Sequence, residues 1–230
     1  MANISIIIPT LNEAQSIVNC ICPLQPLRNL CEIIVVDGCS TDNTRQLVQD
    51  LVDTVIISAQ GRAIQMNAGA QHSKGKVLLF LHADTLLPPS AHNLIAESID
   101  RGRQWGRFDV QLSGRSPLLK VIAFFMNWRS RLTGIATGDQ AIFVSKQLFD
   151  AVGHYPEIAL MEDIALCTHL NKISSPICLK SPVISSGRRW EQFGIIKTIL
   201  LMWSLRLRYF FGADPDVLAN LYSRGKFWKT

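Results

Sequence analysis

The chain has 230 residues, of which 48% are hydrophobic and 18% charged, with a formal net charge of +5. This length suits one α/β domain, or a domain with a short appendage, and is ample for a sizeable core. The six cysteines contain no repeated C-x-x-C pair, so neither a zinc module nor a disulfide framework is indicated. The positive charge suits anionic partners, including phosphates, nucleic acid and acidic lipid, but does not choose among them.

The first residues are not expected to form a signal peptide. They carry no basic region, and Pro9 interrupts the apolar run from Ile4 to Ile8. A cytoplasmic location is the resulting expectation.

The first part of the chain alternates strands and helices. Strand patterns cover 4–8, 32–36, 54–57 and 77–81, and helical stretches lie between them. Asn12 and the cluster 40–43 are expected to cap the first two of these helices, and Gly61 precedes the third. Such an alternation predicts right-handed crossovers and a parallel sheet.

Two of these strands lead into acidic residues. Asp37 follows the second strand, and Asp84 follows the fourth together with His82. Because the carboxyl ends of parallel strands share one edge of a sheet, Asp37 and Asp84 are expected to lie along that edge. Asp84 is either a metal or phosphate ligand or a turn cap. Asp37 either binds a ribose or base, or stabilises its own Asp-Gly turn.

Two common nucleotide-binding motifs are absent from the sequence. No G-x-G-x-x-G follows the first strand, and no G-x-x-x-x-G-K-[ST] occurs anywhere. Dinucleotide-binding and P-loop interpretations therefore lose their main support.

In the second half the alternation weakens. A helix is expected over 90–99 with Ser90 as its cap, a strand over 106–112, and an apolar helix over 118–131 opened by Ser116 and Pro117. A strand over 140–144 and a short helix from Ser145 to near residue 153 follow.

Charged residues in the last third allow two interpretations each. Glu162 and Asp163 start a helix, where acids stabilise the dipole, or they serve a site. Arg188 and Arg189 are expected in a loop before a helix. They form either a phosphate clamp or a solvated basic turn.

The stretch 193–211 is largely apolar but includes three cations, Lys197, Arg206 and Arg208. These argue against a membrane span, because each costs about 2.5 to 3.5 kcal/mol at a helix centre. A helix on a membrane surface, a buried helix and a dimer-forming helix stay open.

Four short segments, in this order, resemble the family-two glycosyltransferases of the GT-A fold. They are Ile8-Pro9-Thr10-Leu11-Asn12-Glu13, Val35-Val36-Asp37-Gly38-Cys39-Ser40-Thr41-Asp42, Leu81-His82-Ala83-Asp84 and Met161-Glu162-Asp163. The segment 61–70 is similar to a small bacterial subgroup of that family.

The resemblance implies an α/β GT-A fold, with a Rossmann-like, mostly parallel sheet flanked by helices. Residues 1–190 would form the glycosyltransferase domain, divided into a nucleotide-binding half (1–84) and an acceptor half (85–190). Residues 191–230 would form a helical extension, packed on that domain or on a membrane surface.

The resemblance also implies a reaction: transfer of a sugar from a nucleotide diphosphate donor, with UDP favoured, to a hydroxyl acceptor, with inversion at the anomeric carbon. Lipid-like acceptors are included. Pro9, Asn12 and Glu13 would border the nucleotide, and Asp37 would hold the base or ribose. Asp163 would match the family's catalytic base.

The same resemblance assigns the diphosphate and its metal. Asp84 takes the place of the last acid of the family's D-x-D motif, which binds Mg²⁺ or Mn²⁺. The first acid is replaced by His82, whose role is metal ligation, a hydrogen bond to phosphate, or packing. Arg62, Arg188 and Arg189 are candidates for the diphosphate.

Two other functions compete with this one. A sugar-phosphate nucleotidyltransferase would need a glycine-rich, lysine-bearing loop after the first strand, and residues 9–12 do not form one. A non-catalytic module that binds nucleotide sugars or anionic lipid would keep Asp37 but have no use for Asp163. Nucleic acid is not an expected partner, whereas peripheral membrane contact and a homodimer stay open.

Overall fold

The protein is built on a single eight-stranded sheet, seen in a computed structural model that describes residues 3–227. The strands are β1 (Ile4–Thr10), β2 (Cys31–Asp37), β3 (Thr54–Ile57), β4 (Val77–Phe80), β5 (Thr85–Leu86), β6 (Trp105–Ser113), β7 (Phe143–Ser145) and β8 (Ile177–Ser186). Their order across the sheet is β3-β2-β1-β4-β7-β6-β8-β5.

Helices cover both faces of this sheet. They are α1 (Ile17–Ile21), α2 (Thr44–Val48), α3 (Arg62–His72), α4 (Ala91–Asp100), α5 (Leu118–Thr133), α6 (Lys146–Ala151), α7 (Glu162–Asn171), α8 (Arg188–Phe193), α9 (Ile195–Phe210) and α10 (Pro215–Arg224). Short 3-10 helices occupy Cys22–Leu27 and Gly138–Gln140.

The parallel half of the sheet agrees with the sequence prediction. β1 pairs in parallel with β2 and with β4, and β2 pairs in parallel with β3. The apolar runs of β1, β2 and β4 are buried nearly throughout, as expected for strands covered on both faces. Their carboxyl ends therefore meet at one edge.

The second half of the sheet is mixed. β7 pairs antiparallel with both β4 and β6, and β5 pairs antiparallel with β8. β8 runs parallel to β6 and was not predicted, because Pro182 interrupts its pattern. The irregularity in the β6/β8 register, opposite Phe108 and Asp109, accommodates this proline.

The predicted caps have different outcomes. Asn12 adopts a left-handed φ of 54° and does not cap α1, whose N-cap is Ser16. Ser90 is the N-cap residue of α4 as predicted, but its side chain makes no capping hydrogen bond. Asp42 accepts a hydrogen bond from Thr44 N at 3.0 Å, and Ser145, where a short helix was predicted to begin, accepts one from Leu148 N as the N-cap of α6.

The core consists of two large clusters, one on each face of the sheet. One cluster joins the sheet to α1, α4 and α5, with Ile6 and Leu119 among its members. The other joins it to α3, α6 and α7, with Ile7 and Leu166 among its members. Alternate β1 side chains thus enter opposite layers, as the pleat requires.

A third, smaller cluster attaches the C-terminal helices. Leu201 and Leu205 of α9 and Leu218 of α10 pack with Leu160 and Met161, which immediately precede α7. The C-terminal extension is therefore packed on the rest of the chain, and residues 228–230 lie outside the described part. No helix within residues 3–227 is long and apolar enough to cross a bilayer.

The contact of α3 with the sheet depends on Gly69. A Cβ at this position would lie 2.4 Å from Ile7 Cγ2 and 3.0 Å from Val36 Cγ2. We expect Gly69→Ala to lower the free energy of unfolding by about 1 to 2 kcal/mol, because overpacking outweighs a helix-propensity gain of about 1 kcal/mol.

Urea unfolding measures this change. The control is Gln71→Ala, on an exposed position of the same helix, where a change within about 0.5 kcal/mol is expected. A more stable Gly69→Ala protein would contradict the tight contact.

Candidate functional site

Asp37 lies at the carboxyl end of β2, fully buried. Its Oδ2 accepts a hydrogen bond from Ser40 N at 2.8 Å, and its Oδ1 accepts one from the Thr10 hydroxyl at 3.4 Å. Arg45 Nε lies 3.7 Å from Oδ2. The carboxylate therefore stabilises the turn after β2, and its predicted contact with a base or ribose would be additional.

The loops after β1 and β2 hold each other. Asn12 N donates to Ser40 Oγ at 2.9 Å, and Asn12 Oδ1 accepts from Thr41 N at 2.8 Å. Glu13 N donates to Thr44 Oγ1 at 2.9 Å. We call this pair of loops, residues 11–13 and 38–44, the loop clasp. It lies directly beyond the strand ends at which Pro9 pairs with Val36.

The two predicted diphosphate arginines are the first two residues of α8 and do not lie in a loop before a helix, so that prediction is wrong, and their surroundings differ. Arg188 Nη2 lies 3.8 Å from Glu13 Oε2, which brings it to the loop clasp. Arg189 donates to Tyr222 O, and its guanidinium carbon lies 3.5 Å from the centre of the Tyr222 ring. Arg189 thus binds α8 to α10, whereas Arg188 lies beside the loop clasp.

His82, beyond β4, contacts an acid that the sequence analysis missed. His82 Nδ1 lies 3.4 Å from Asp139 Oδ1, and Ser185 Oγ donates to the same oxygen at 3.5 Å. Burial raises the pKa of Asp139, but the hydrogen bond and charge of His82 bring it below its ordinary value. An aspartate after a glycine, just before a strand, has the pattern of an ordinary turn, so nothing in the sequence distinguished it.

Asp84 is half-buried two residues beyond His82. Its carboxylate makes no hydrogen bond or ion pair with residues 3–227, which leaves its oxygens available to a cation. Within the same residues, no group of three or more His, Cys, Asp or Glu side chains could hold a metal ion by itself. The donor set fits Mg²⁺ or Mn²⁺ only where substrate phosphates complete the coordination, which is common for Mg²⁺.

Asp163 lies in the first turn of α7. Its Oδ2 accepts a hydrogen bond from Gly138 N at 2.9 Å, and its Oδ1 accepts one from Ile164 N at 2.7 Å. Burial, followed by the negative charge of Glu162, raises the pKa of Asp163 to about 6. The carboxyl group is therefore able to change protonation state near neutral pH.

Arg62 is part of the same recess. Its Nη1 lies 3.5 Å from Oε1 of Glu162, which is itself buried. The recess is lined by both residues together with His82, Gly138 and Asp163. The structure thus brings the predicted Arg62, His82 and Asp163 together, from α3, from the loop after β4 and from α7.

Gly138 joins the His82 and Asp163 sides of the recess. Its N–H binds Asp163, and a Cβ on it would lie 2.1 Å from His82 Nε2. Thr137 N donates to Gln140 Oε1 at 3.2 Å, and Gln140 N donates to the Thr137 carbonyl at 2.8 Å, so these two residues close the turn.

A second residue missed by the sequence analysis is Arg129, in α5. Its Nε and Nη2 are buried and have no hydrogen-bond partner within the described residues. Burial lowers the pKa of Arg129, and the nearby Asp163 opposes this effect. A cation near the end of an apolar helix gave no indication that it would lie close to Asp163.

The fold and the family can now be identified. A mixed sheet with helices on both faces, and acids at its carboxyl edge, is the architecture of the GT-A glycosyltransferases. The model of the family described as "Glycosyl transferase family 2" matches residues 5–145, which is more than half of the chain. The chain belongs to this family, and the resemblance noted from the sequence is confirmed.

Solved structures support the fold. TarS from S. aureus (residues 1–349) superposes with a TM-score of 0.64 at 18% identity, over 94% of this chain and 69% of that one. A mannosyltransferase from Pyrobaculum calidifontis, in complex with GDP-Man and Mn²⁺, gives 0.61 at 22% identity, over 80% and 56%. Glucosyl-3-phosphoglycerate synthase from Mycobacterium tuberculosis, with Mg²⁺ and UDP, gives 0.61 at 18% identity, over 80% and 70%.

A curated relative is similar in sequence. Undecaprenyl-phosphate 4-deoxy-4-formamido-L-arabinose transferase from Pseudomonas fluorescens (strain SBW25) is 28% identical over 145 residues. The match covers 58% of this chain but only 40% of the relative.

The environment of Asp163 predicts a titration. We expect its carboxyl group to titrate with a pKa of about 6, and Glu162→Gln to lower that pKa. The substitution removes the like charge and also leaves Arg62 without its carboxylate partner, and both changes favour ionised Asp163. Carboxyl ¹³C chemical shifts, assigned by comparison with Asp163→Asn, measure the pKa directly.

The matched control is Asp100→Asn, which neutralises an exposed acid in α4. It should leave the Asp163 titration unchanged. An unchanged or raised midpoint in Glu162→Gln would mean that Glu162 does not contribute to the shift.

Proposed function

We propose that the protein is an inverting, metal-assisted glycosyltransferase that moves a sugar from a nucleotide diphosphate donor to a hydroxyl acceptor. The observation that carries this proposal is Asp163, a buried carboxyl group with a pKa of about 6, held by Gly138 N in a recess with Arg62 and His82. Family membership supports the class of reaction. The solved structures titled as complexes with UDP-GlcNAc, with GDP-Man and Mn²⁺, and with UDP and Mg²⁺ support the donor class and the metal.

The donor nucleotide would lie along the loop clasp. Pro9, Asn12 and Glu13 border this position, and Asp37 lies beneath it at the end of β2. Residues 1–84 would thus form the nucleotide-binding half and residues 85–190 the acceptor half. UDP is the favoured donor nucleotide.

The diphosphate leaving group would need positive charge beside it. Asp84, with His82, would hold Mg²⁺ or Mn²⁺, which when bound neutralises the negative charge that develops on the departing diphosphate. Arg188 at the loop clasp and Arg62 in the recess would add arginine forks on the protein side. Arg189 would contribute to the diphosphate site indirectly, by binding α10 to α8, or directly, by a contact made only when the donor is bound.

Asp163 would accept the proton of the attacking hydroxyl. A general base works best when its pKa lies near the operating pH, because it is then ionised yet still basic. Both carboxylate oxygens of Asp163 are oriented by backbone N–H groups, which fixes the direction from which a hydroxyl can approach. A single displacement with one such base inverts the anomeric centre and needs no nucleophile from the protein.

The acceptor and the partners stay predictions. The curated relative is named for a transfer involving undecaprenyl phosphate, which supports a lipid-like acceptor. A homodimer, peripheral contact with the inner membrane surface and a cytoplasmic location are predictions of the same standing. A non-catalytic binding module remains the alternative. In such a module the raised pKa of Asp163 would have no functional role.

The base assignment predicts a separation of binding from transfer. Asp163→Asn should retain donor binding within about threefold but reduce transfer at least about 100-fold, because the amide cannot accept the hydroxyl proton. Isothermal titration with the nucleotide and a screen of nucleotide sugars with product detection measure the two quantities. Asp100→Asn is the control with unchanged binding and transfer, and full transfer by Asp163→Asn would contradict the assignment.

The metal assignment predicts a linkage between cation and nucleotide. Titrating Mn²⁺ into protein with a nucleoside diphosphate should tighten nucleotide binding by roughly tenfold or more, and Asp84→Ala should remove that gain. Replacing the exposed Asp100 by Ala instead should preserve it. Equal affinity with and without a chelator in the unsubstituted protein would argue against a metal at Asp84.

A further inference from the structure

Two helices carry most of the exposed apolar surface of the described chain. Twelve of the seventeen exposed large hydrophobic side chains within residues 3–227 belong to α5 or to α9 and its first following residue. In α5 they are Leu118, Val121, Phe124, Phe125, Trp128 and Leu132, and in α9 they are Ile196, Leu200, Trp203, Leu207 and Phe210, followed by Phe211. We call these twelve residues the apolar face.

The spacing shows that this exposure is an organised property of each helix. Apart from the adjacent pairs Phe124-Phe125 and Phe210-Phe211, the exposed residues recur at intervals of three and four, so they line one side of each helix. The opposite side is packed inward, by Leu119 and Ile122 in α5 and by Leu201 and Leu205 in α9. Each helix therefore has an apolar side that the core does not use.

The two helices also share a location. Ile195 and Ile199 of α9 pack against the same core cluster that contains Leu119 and Ile122 of α5. The start of α9 thus lies on the same side of the sheet as α5, and the rest of α9 packs on Leu160 and Met161. Patches of this kind on a chain of this size mark an interaction surface.

The charge of the two helices identifies what they face. Each is 16 residues long and contains three cations and no acidic residue. Arg129 lies inward near Asp163 and Arg131 pairs with Asp109, whereas Lys120 and Lys197 are exposed. A second copy docked face to face would bring these cationic helices together, whereas the phosphates of an anionic lipid surface complement them.

The length and composition fit a helix that lies in the plane of a membrane. Each helix has 16 residues and is about 24 Å long. A helix needs roughly 20 residues to cross the hydrocarbon core, so both are too short to do so. Trp128 and Trp203 place amphipathic rings on the exposed side, where the interfacial region of a bilayer accommodates them.

We propose that α5 and α9 together form a docking surface for an anionic membrane, with the apolar face inserted among the acyl chains and the cations at the headgroups. This surface lies outside the site described above, and the proposal stands whether or not the protein transfers sugars. It also bears on the site. The buried side of α9 packs on Leu160 and Met161, directly before the helix that carries Asp163, so docking would hold the acceptor half next to the bilayer.

Vesicle binding by the full chain tests the proposal. Sedimentation with vesicles of phosphatidylcholine and phosphatidylglycerol should show binding that is lost with phosphatidylcholine alone. Phe125→Glu combined with Trp203→Glu should weaken binding at least about tenfold, because charged groups would enter the acyl region. The matched control is Ile57→Glu combined with Ile173→Glu, at positions that are 59% and 55% exposed but outside the apolar face, and it should bind normally.

A second variant protects the test from a folding defect. Lys120→Gln combined with Lys197→Gln removes two exposed cations, leaves the apolar face intact, and should weaken binding roughly 25-fold at low salt. Absence of binding by the unsubstituted protein, or normal binding by both the Glu and the Gln variants, would overturn the proposal. So would a dimer without lipid that the Phe125 and Trp203 substitutions dissociate, since the apolar face would then belong to a second copy.

Discussion

The turn at Gly138 is the constraint on which the arrangement of the recess depends. It lies between α5 and β7, and through its N–H and its missing side chain it contacts both Asp163 and His82. Asp163 and His82 are 81 positions apart in the chain, and Asp139 of the same turn lies 3.4 Å from His82 Nδ1. Gln140 of the same turn donates to Asn127 at 3.3 Å, so α5 supports it from behind. The position of Asp163 relative to the carboxyl end of β4 is thus set by a contact with the backbone of Gly138. A contact with a flexible side chain would hold Asp163 less firmly.

Much of the parallel half of the fold could be predicted from the sequence. β1, β2 and β4 were predicted within a few residues, because strands buried on both faces carry continuous apolar runs, and the partly exposed edge strand β3 was predicted with its observed bounds. β8 could not be found in this way, since its pairing with β6 tolerates Pro182 only beside a register irregularity, where two β8 residues have no partner between Phe108 and Asp109. Local pattern rules do not include the partner strand.

The candidate site was predictable in its identities but not in its contacts. Asp84 and Asp163 could be chosen because they occur in an ordered set of motifs. The hydrogen-bond partners of Asn12 lie 28 to 30 positions away in the loop after β2. A rule that considers only the nearby helix therefore predicted, wrongly, that Asn12 caps that helix. Asp139 carried no local signal, and the raised pKa of Asp163 comes from burial that only the folded chain supplies. The sequence shows the chemical type of each side chain, but the long-range pairing and the desolvation of that side chain depend on the folded structure.

The loop clasp has an energetic consequence for ligand capture. Asn12 and Glu13 are joined to Ser40, Thr41 and Thr44 by hydrogen bonds in the protein without ligand. The conformational entropy of these two loops is therefore lost when the chain folds, so a ligand that enters between them does not have to order them. Because the loops are already ordered, more of the contact energy with a ligand appears as affinity. Their fixed shape also favours the ligands that fit it over those that do not.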